Sequence, residues 1–457
     1  MRRLALSLLK QERFTKPSLR QKRLQPTRDN QYGMNVLGAG KTQMPSPWGL
    51  VRTLPFDRIR VQRPVFGQVP IRRGGAAVLD LVRIVSLMWG LVVVVGATSA
   101  AEPNDVRSGA TRLLYVASPG VRNYTQWGGH GVLVFDIDGG HGFVKRISLE
   151  GYGADEKGNV LNVKGICASA GTGRLYVSTL QHLIAFDLLT DKVMWQKSFD
   201  LGCDRMSISP DGKIIYLPSL EDDVWYVVDA ATGEEIKRLV PKSQAHNTAY
   251  GLDGERVYLA GLGSPLLSVA KTDAHAIERT VGPFGDRIRP FTVNGAQTLV
   301  FVNVNGLLGF EVGDLRTNQR IHRVAVEGFA KGEPKRHGCP SHGIGLTPDE
   351  QEIWLCDGFN SRLHIFDASI MPPRQTASIA LREQPGWITF SIDGKYAYPS
   401  TGEVIDVKTR KIVATLSDEH GRPVHSEKLL EIDFDDGRPF QNGDQFGLGH
   451  VIPRDRR

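Results

Sequence analysis

Ser207-Ile208-Ser209-Pro210-Asp211-Gly212-Lys213-Ile214-Ile215-Tyr216-Leu217, followed by Trp225-Tyr226-Val227-Val228-Asp229-Ala230-Ala231-Thr232-Gly233, decides the fold of this chain. A short apolar strand meets an Asp-Gly turn, a second strand rich in β-branched and aromatic residues follows, and an Asp-x-x-Thr turn closes the phrase. Later copies are marked by Asp253-Gly254, Asn294-Gly295, Asp349-Glu350 and Asp393-Gly394, and an earlier one by Thr172-Gly173. From Gly173, the second turn residue recurs after 39, 42, 41, 55 and 44 positions. That period, with four short strands per unit, predicts an all-β, seven-bladed β-propeller.

Blade by blade, the strand candidates run Leu113–Leu149, Val163–Phe199, Arg205–Val240, His246–Val281, Arg289–Val326, Ser341–Leu381 and Gly386–Leu416. Blades two to seven each supply four strands, and blade one supplies three. Glu427-Lys428-Leu429-Leu430-Glu431-Ile432-Asp433-Phe434, past the last blade, reads as the missing innermost strand of blade one. Such a strand would close the ring and remove its exposed edges. The propeller is therefore placed at 112–437 and a C-terminal tail at 438–457. Within that tail, Gly443–Gly447 is expected to cap the channel or dock on a blade.

Charge is unevenly spread. Residues 1–80 hold 16 Lys/Arg against 4 Asp/Glu, a net +12, so the overall +7 leaves −5 on the other 377 residues. The basicity belongs to this N-terminal segment and gives no reason to expect a nucleic-acid-binding platform. The segment lacks sustained apolar periodicity. An upstream start codon would account for residues 1–70, which would be disordered if translated. Residues 81–101 then show the order of a secretory signal: a short basic flank, an apolar run to Ala97, and the small residues Thr98-Ser99-Ala100-Ala101. Cleavage near Ala100 or Ala101 is favoured over a membrane anchor, because the small residues follow the apolar run directly. The expectation is a periplasmic or extracellular monomer with no stable membrane insertion after cleavage. Cys167, Cys203, Cys339 and Cys356 could pair or remain buried thiols, and no Cys-x-x-Cys-His haem attachment motif occurs.

The Ser-Pro-Asp-Gly-Lys-x-x-Tyr turn, with Asp-x-x-Thr-Gly after the next strand, resembles the bacterial YVTN β-propeller repeats of YncE-like proteins. The resemblance covers about residues 112–416. It implies a seven-bladed, usually exported propeller related to those of cytochrome cd1 and amine dehydrogenases. That superfamily spans binders, electron-transfer proteins and hydrolases, so the resemblance selects no activity. Ala185–Trp195 is similar to one docking repeat of quinoprotein propellers, with Asp191 in place of the Gly. As a single copy it names no cofactor.

Function is sought where the copies differ. The residues opening each inner strand line one mouth of the channel. They are Lys164-Gly165, Asp204-Arg205, His246-Asn247, Arg289-Pro290, Ser341-His342, Pro385-Gly386 and Glu427-Lys428. Asp204, Arg205, His246, Asn247, Arg289, His342 and Glu427 form the candidate ligand site, for a small molecule or a protein partner. The competing reading is a self-satisfied polar plug. His246 or His342 as general base, with Arg205 or Arg289 holding a carbonyl, would suit a lactone hydrolase. His246, His337, Cys339 and His342 are weak candidates for a metal such as zinc or copper, as in a metal- or quinone-dependent redox subunit. The Trp127 loop, with His130 and His141, could form a lid. Trp225, Trp354, Trp387, Tyr176, Tyr216 and Tyr258 are expected in the inter-blade core.

Overall fold

A computed structural model of the protein describes residues 109–149 and 151–451. The proposed signal segment lies outside them. Among the described residues there are strands and turns and no helix, so none could cross a membrane as a helix.

Seven antiparallel sheets form the blades, six of four strands and one of five. The repeated phrase owes its recurrence to hydrogen bonds. Ser209 Oγ accepts from the Lys213 and Ile214 N–H groups at 3.1 and 3.0 Å and donates to Asp211 at 2.6 Å. Gly212 closes the turn onto the Ser209 carbonyl in the left-handed region, at φ +72°. Asp229 accepts from both the backbone N–H and the hydroxyl of Thr232, and Asp187 with Thr190 and Asp406 with Thr409 repeat this. A carboxylate that satisfies turn N–H groups explains why Asp and Thr keep their spacing.

One copy sits in a different register from the sequence expectation. In blade five the left-handed residue is Gln297, at φ +53°, and Asn294 takes the role of Ser209 by accepting from Thr298 and Leu299. The Asn294-Gly295 pair resembles the other turns in composition, yet it lies two residues early.

The blades lie against one another through buried aromatics. Trp225 Nε1 donates to Thr248 and the Tyr176 hydroxyl to the Ala230 carbonyl, each in the next blade. Tyr216, Tyr258 and Trp354 are also fully buried, as expected. No disulfide joins the four cysteines, and all four are buried.

Leu429–Asp435 pairs antiparallel with Thr111–Ser118, in a register running from Val116↔Leu429 to Thr111↔Phe434. It is the closing strand expected from the incomplete first blade. Arg112 Nε reaches Glu431 across this seam at 2.8 Å, and Ile392 N–H of blade seven donates to the same carboxylate.

Residues 438–451 add more than a tail. Arg438–Asn442 forms a fifth strand on the channel side of the closing strand. Gly443 onward then enters the channel. Gln445 Nε2 donates to the Met206 carbonyl, and Thr292 Oγ1 and Leu346 N–H both donate to the Gly447 carbonyl. Phe446 and Leu448 join the buried cluster of Ala249, Phe291, Val293 and Trp387. This end of the channel is filled by the chain's own C-terminal segment.

Deletions should separate the two roles. Removing residues 416–457 takes away the closing strand and should abolish cooperative unfolding and cause aggregation. Removing 443–457 should leave a closed ring that melts earlier, since burial of one large aromatic such as Phe446 is worth ~3–5 kcal/mol. Circular dichroism melts with light scattering would show this. A folded 416–457 deletion would contradict the closure.

Candidate functional site

At the opposite mouth, each inner strand begins with the residues singled out above, because equivalent register places equivalent residues around one ring. Lys164, Asp204, Arg205, His246, His342, Glu427 and Lys428 are joined into one network. His246 Nδ1 donates to Asp204 at 2.7 Å, and Lys164 Nζ stands 3.4 Å from the other oxygen of that carboxylate. Arg205 Nη2 and Lys428 Nζ both donate to Glu427 Oε2 at 3.0 Å, and Lys428 also donates to the Gly120 carbonyl at 2.7 Å. His342 Nδ1 donates to the Gly386 carbonyl at 2.8 Å, and the His246 and His342 rings are 6.2 Å apart.

Asn247 sits beside Arg205 through an isolated parallel bridge. Arg289 does not join the network. Its Nε donates to Asn305 at 2.6 Å, and its guanidinium turns toward Gly338 in the long loop.

Two further residues complete the ring: His337, a weak metal candidate by sequence, and Trp387, an expected core aromatic. Blade seven contributes Gly386, without a side chain, and His337 from the loop 328–340 takes the space. A Cβ on Gly386 would lie 2.1 Å from His337 Nε2 and 2.5 Å from Glu427 Oε1. His337 reaches Glu427 at 3.3 Å and stacks on His342 with centroids 4.4 Å apart. Trp387, expected between blades, lies instead on the channel axis. It follows Gly386 directly, so the register that located the ring also places it there. The Arg205 guanidinium lies 3.6 Å above its ring, its Nε1 donates to the Gln445 carbonyl, and Phe446 meets it edge-on. Trp387 is thus the floor of the mouth and the ceiling of the C-terminal filling.

The loop 120–130 and the loop 328–340 meet above blades six, seven and one. Arg122 donates to the Arg336 carbonyl, Arg336 pairs with Glu383 at 3.0 Å, and its guanidinium lies 4.9 Å from the Trp127 ring. Trp127 stacks on His425 at 4.5 Å. His141 is not part of such a lid. It is buried in a blade-one turn, bonded to the Tyr398 hydroxyl of blade seven at 3.1 Å.

Burial alone would raise the Glu427 carboxyl, but Lys428, His337 and Arg205 outweigh it and hold the group well below the usual range. Asp204 is likewise kept ionised against burial, by Lys164, His246 and Arg205. Burial, helped by His337 and Arg205, pushes His342 well down, so it is neutral. Burial also pushes the Lys428 ammonium down to about 7, against the pull of Glu427.

Of the weak metal candidates, His337 and His342 stack face to face, and Cys339 Sγ donates to the Ser341 carbonyl at 3.1 Å. Among the described residues no group of three His, Cys, Asp or Glu is spaced to hold a metal ion.

No known protein family and no curated protein is matched by the chain. Among solved structures it is similar to the hydrazine synthase of Kuenenia stuttgartiensis, at 14% identity and a TM-score of 0.38, over 55% of this chain and 96% of that one.

The Lys428 ammonium has a signature in stability. Its pKa is about 7 in the folded protein and 10.5 as the free group, so between these values the unfolded chain binds more protons. Stability should therefore rise with pH from about 7 toward 10.5. Urea unfolding midpoints measured across that range should flatten in Lys428→Met. An unchanged slope in the variant would assign the effect elsewhere.

Proposed function

We propose that the protein is an exported, monomeric propeller of the YVTN type, periplasmic or extracellular, that works as a binding scaffold. Its ligand, a small molecule or a protein segment, engages the polar mouth, and no nucleic acid is involved. One observation carries this reading: the mouth network is not self-satisfied. Arg205, 3% exposed, leaves Nε and Nη1 without a hydrogen-bond partner among the described residues, although Nη2 is committed to Glu427. Buried polar atoms are nearly always partnered, so a plug of side chains alone would be expected to close these contacts. The other end of the channel is filled by residues 445–448.

The test is to export the protein, purify it, and identify small molecules released on denaturation. A ligand should be released from the native protein and be absent from the folded Arg205→Ala, His246→Ala, Arg289→Ala, His342→Ala quadruple variant. Retention of the same ligand by that variant would remove the mouth from the reading. The Asp204–His246 pair favours a second reading, an enzyme at the same mouth, because a carboxylate that fixes an imidazole is a general-base arrangement. Metal analysis and an absorption spectrum separate out a redox subunit: a stoichiometric metal or visible chromophore would replace the scaffold reading.

A further inference from the structure

Between blades four and five, a cleft of about 330 Å³ opens to solvent, a volume at the lower end of the range for small-molecule sites. Arg256 opens the second strand of blade four, Arg256–Gly261. Gln297 and Asn318 lie in the turns of blade five that lead into Leu299–Val304 and Gln319–Ala325. The inner strands start at the mouth and run toward these turns, so the cleft is on the opposite face of the ring. Three arginines line it, Arg256, Arg279 and Arg316, with Tyr258 and the amides of Gln297 and Asn318. Among the described residues no carboxylate does so.

Each guanidinium is anchored by a carboxylate outside the lining. Arg256 Nε reaches Glu278 and its Nη1 reaches Glu255, both at 3.3 Å. Arg316 Nε and Nη2 donate to Asp314 at 3.2 and 2.7 Å. Arg279 donates to Glu278 through Nη1, to the Leu315 carbonyl through Nη2 at 3.3 Å, and to Asn318 Oδ1 through Nε at 2.8 Å.

These anchors set the polarity of what remains. Arg279 can only donate, so the Asn318 atom that meets it is the oxygen and Nδ2 is left over. The Tyr258 hydroxyl donates to Gln297 Oε1 at 3.1 Å, which leaves Gln297 Nε2. Gly251 makes room for that amide, since a Cβ there would lie 1.9 Å from Oε1. Arg256 Nη2 and Arg316 Nη1 make no hydrogen bond among the described residues. The cleft thus keeps four side-chain donors, two of them cationic, while both amide oxygens are engaged. Such a set selects an oxyanion. The donors come from three separate segments of two blades. A carboxylate offers two oxygens in one plane, whereas a phosphomonoester offers three around a tetrahedral centre and has an organic group to occupy the remaining volume.

We propose that this cleft is a ligand site independent of the mouth and takes a small phosphomonoester, whose phosphate oxygens accept from Arg256, Arg316, Gln297 and Asn318. Arg279 is a positioning residue in it, because it orients the Asn318 amide.

Calorimetric titration of the full chain with glycerol 3-phosphate, phenyl phosphate, glycerol, phenol and succinate, at neutral pH and constant ionic strength, tests the assignment. At least one ester should bind with a Kd below ~1 mM, and ~10-fold or more tightly than glycerol, phenol or succinate. Gln297→Glu keeps an acceptor for Tyr258 but sets a negative charge against the phosphate, and should weaken the ester by ~10-fold or more. Arg316→Gln, at an exposed turn, should weaken it by ~10-fold. If Arg316→Gln does not fold, Gln297→Glu carries the test. Neither substitution lies in the mouth network, so the outcome does not depend on the mouth being a binding site. Failure of both esters to bind, tighter binding of succinate than of either ester, or undiminished ester binding by Gln297→Glu would overturn the assignment.

Discussion

The antiparallel pairing of Leu429–Asp435 with Thr111–Ser118 is the constraint on which the rest of the molecule depends. Each blade buries its large aromatics against the next, so every inter-blade surface needs two neighbours. A linear row of seven blades would leave two such surfaces bare. The closing strand meets this need: main-chain hydrogen bonds and Arg112 on Glu431 fasten it into blade one, and Ile392 of blade seven donates to the same carboxylate.

Closing the ring also creates an axis, and the axis is occupied in layers. The loop 328–340 lies uppermost, its His337 in the gap left by Gly386. Beneath it is the ring of Asp204, Arg205, His246, His342, Glu427 and Lys428. Trp387 separates this from Gln445 and Phe446, which fill the far end. The indole holds both neighbours by different parts of one side chain: its face carries a guanidinium and its edge donates to a carbonyl. Polar and apolar halves of the channel thus meet at a single residue.

How much of this was legible in the sequence follows from which interactions are local. The Ser-Pro-Asp-Gly and Asp-x-x-Thr turns are satisfied within a few residues, so their spacing reveals the blades directly. The closing strand could be found by subtraction, since blade one lacked a fourth strand. Registering the copies located Asp204, Arg205, His246, His342 and Glu427, because repetition converts sequence position into position around the ring. His337 could not be placed this way, as its loop belongs to no repeat. Trp387 was misplaced between blades because an aromatic in a strand is usually core, and one residue of register decides which core. Gly295 misled for a related reason: its composition matched the turn, while the left-handed position fell on Gln297. Arg289 shares the register of the others, yet its side chain turns to Asn305, a choice made by rotamer and neighbour rather than by position.

Glu427 and Lys428 open the closing strand, and they also supply one carboxylate and one ammonium of the polar mouth. The segment that fastens the ring is therefore part of what the ring presents to a ligand. During synthesis these residues emerge after all seven blades have been made. A partly made or C-terminally clipped chain holds Arg205 without its counter-ion and the mouth without its latch. Competence and completeness are coupled through one strand, so the recognition surface comes into being at the moment the fold is sealed.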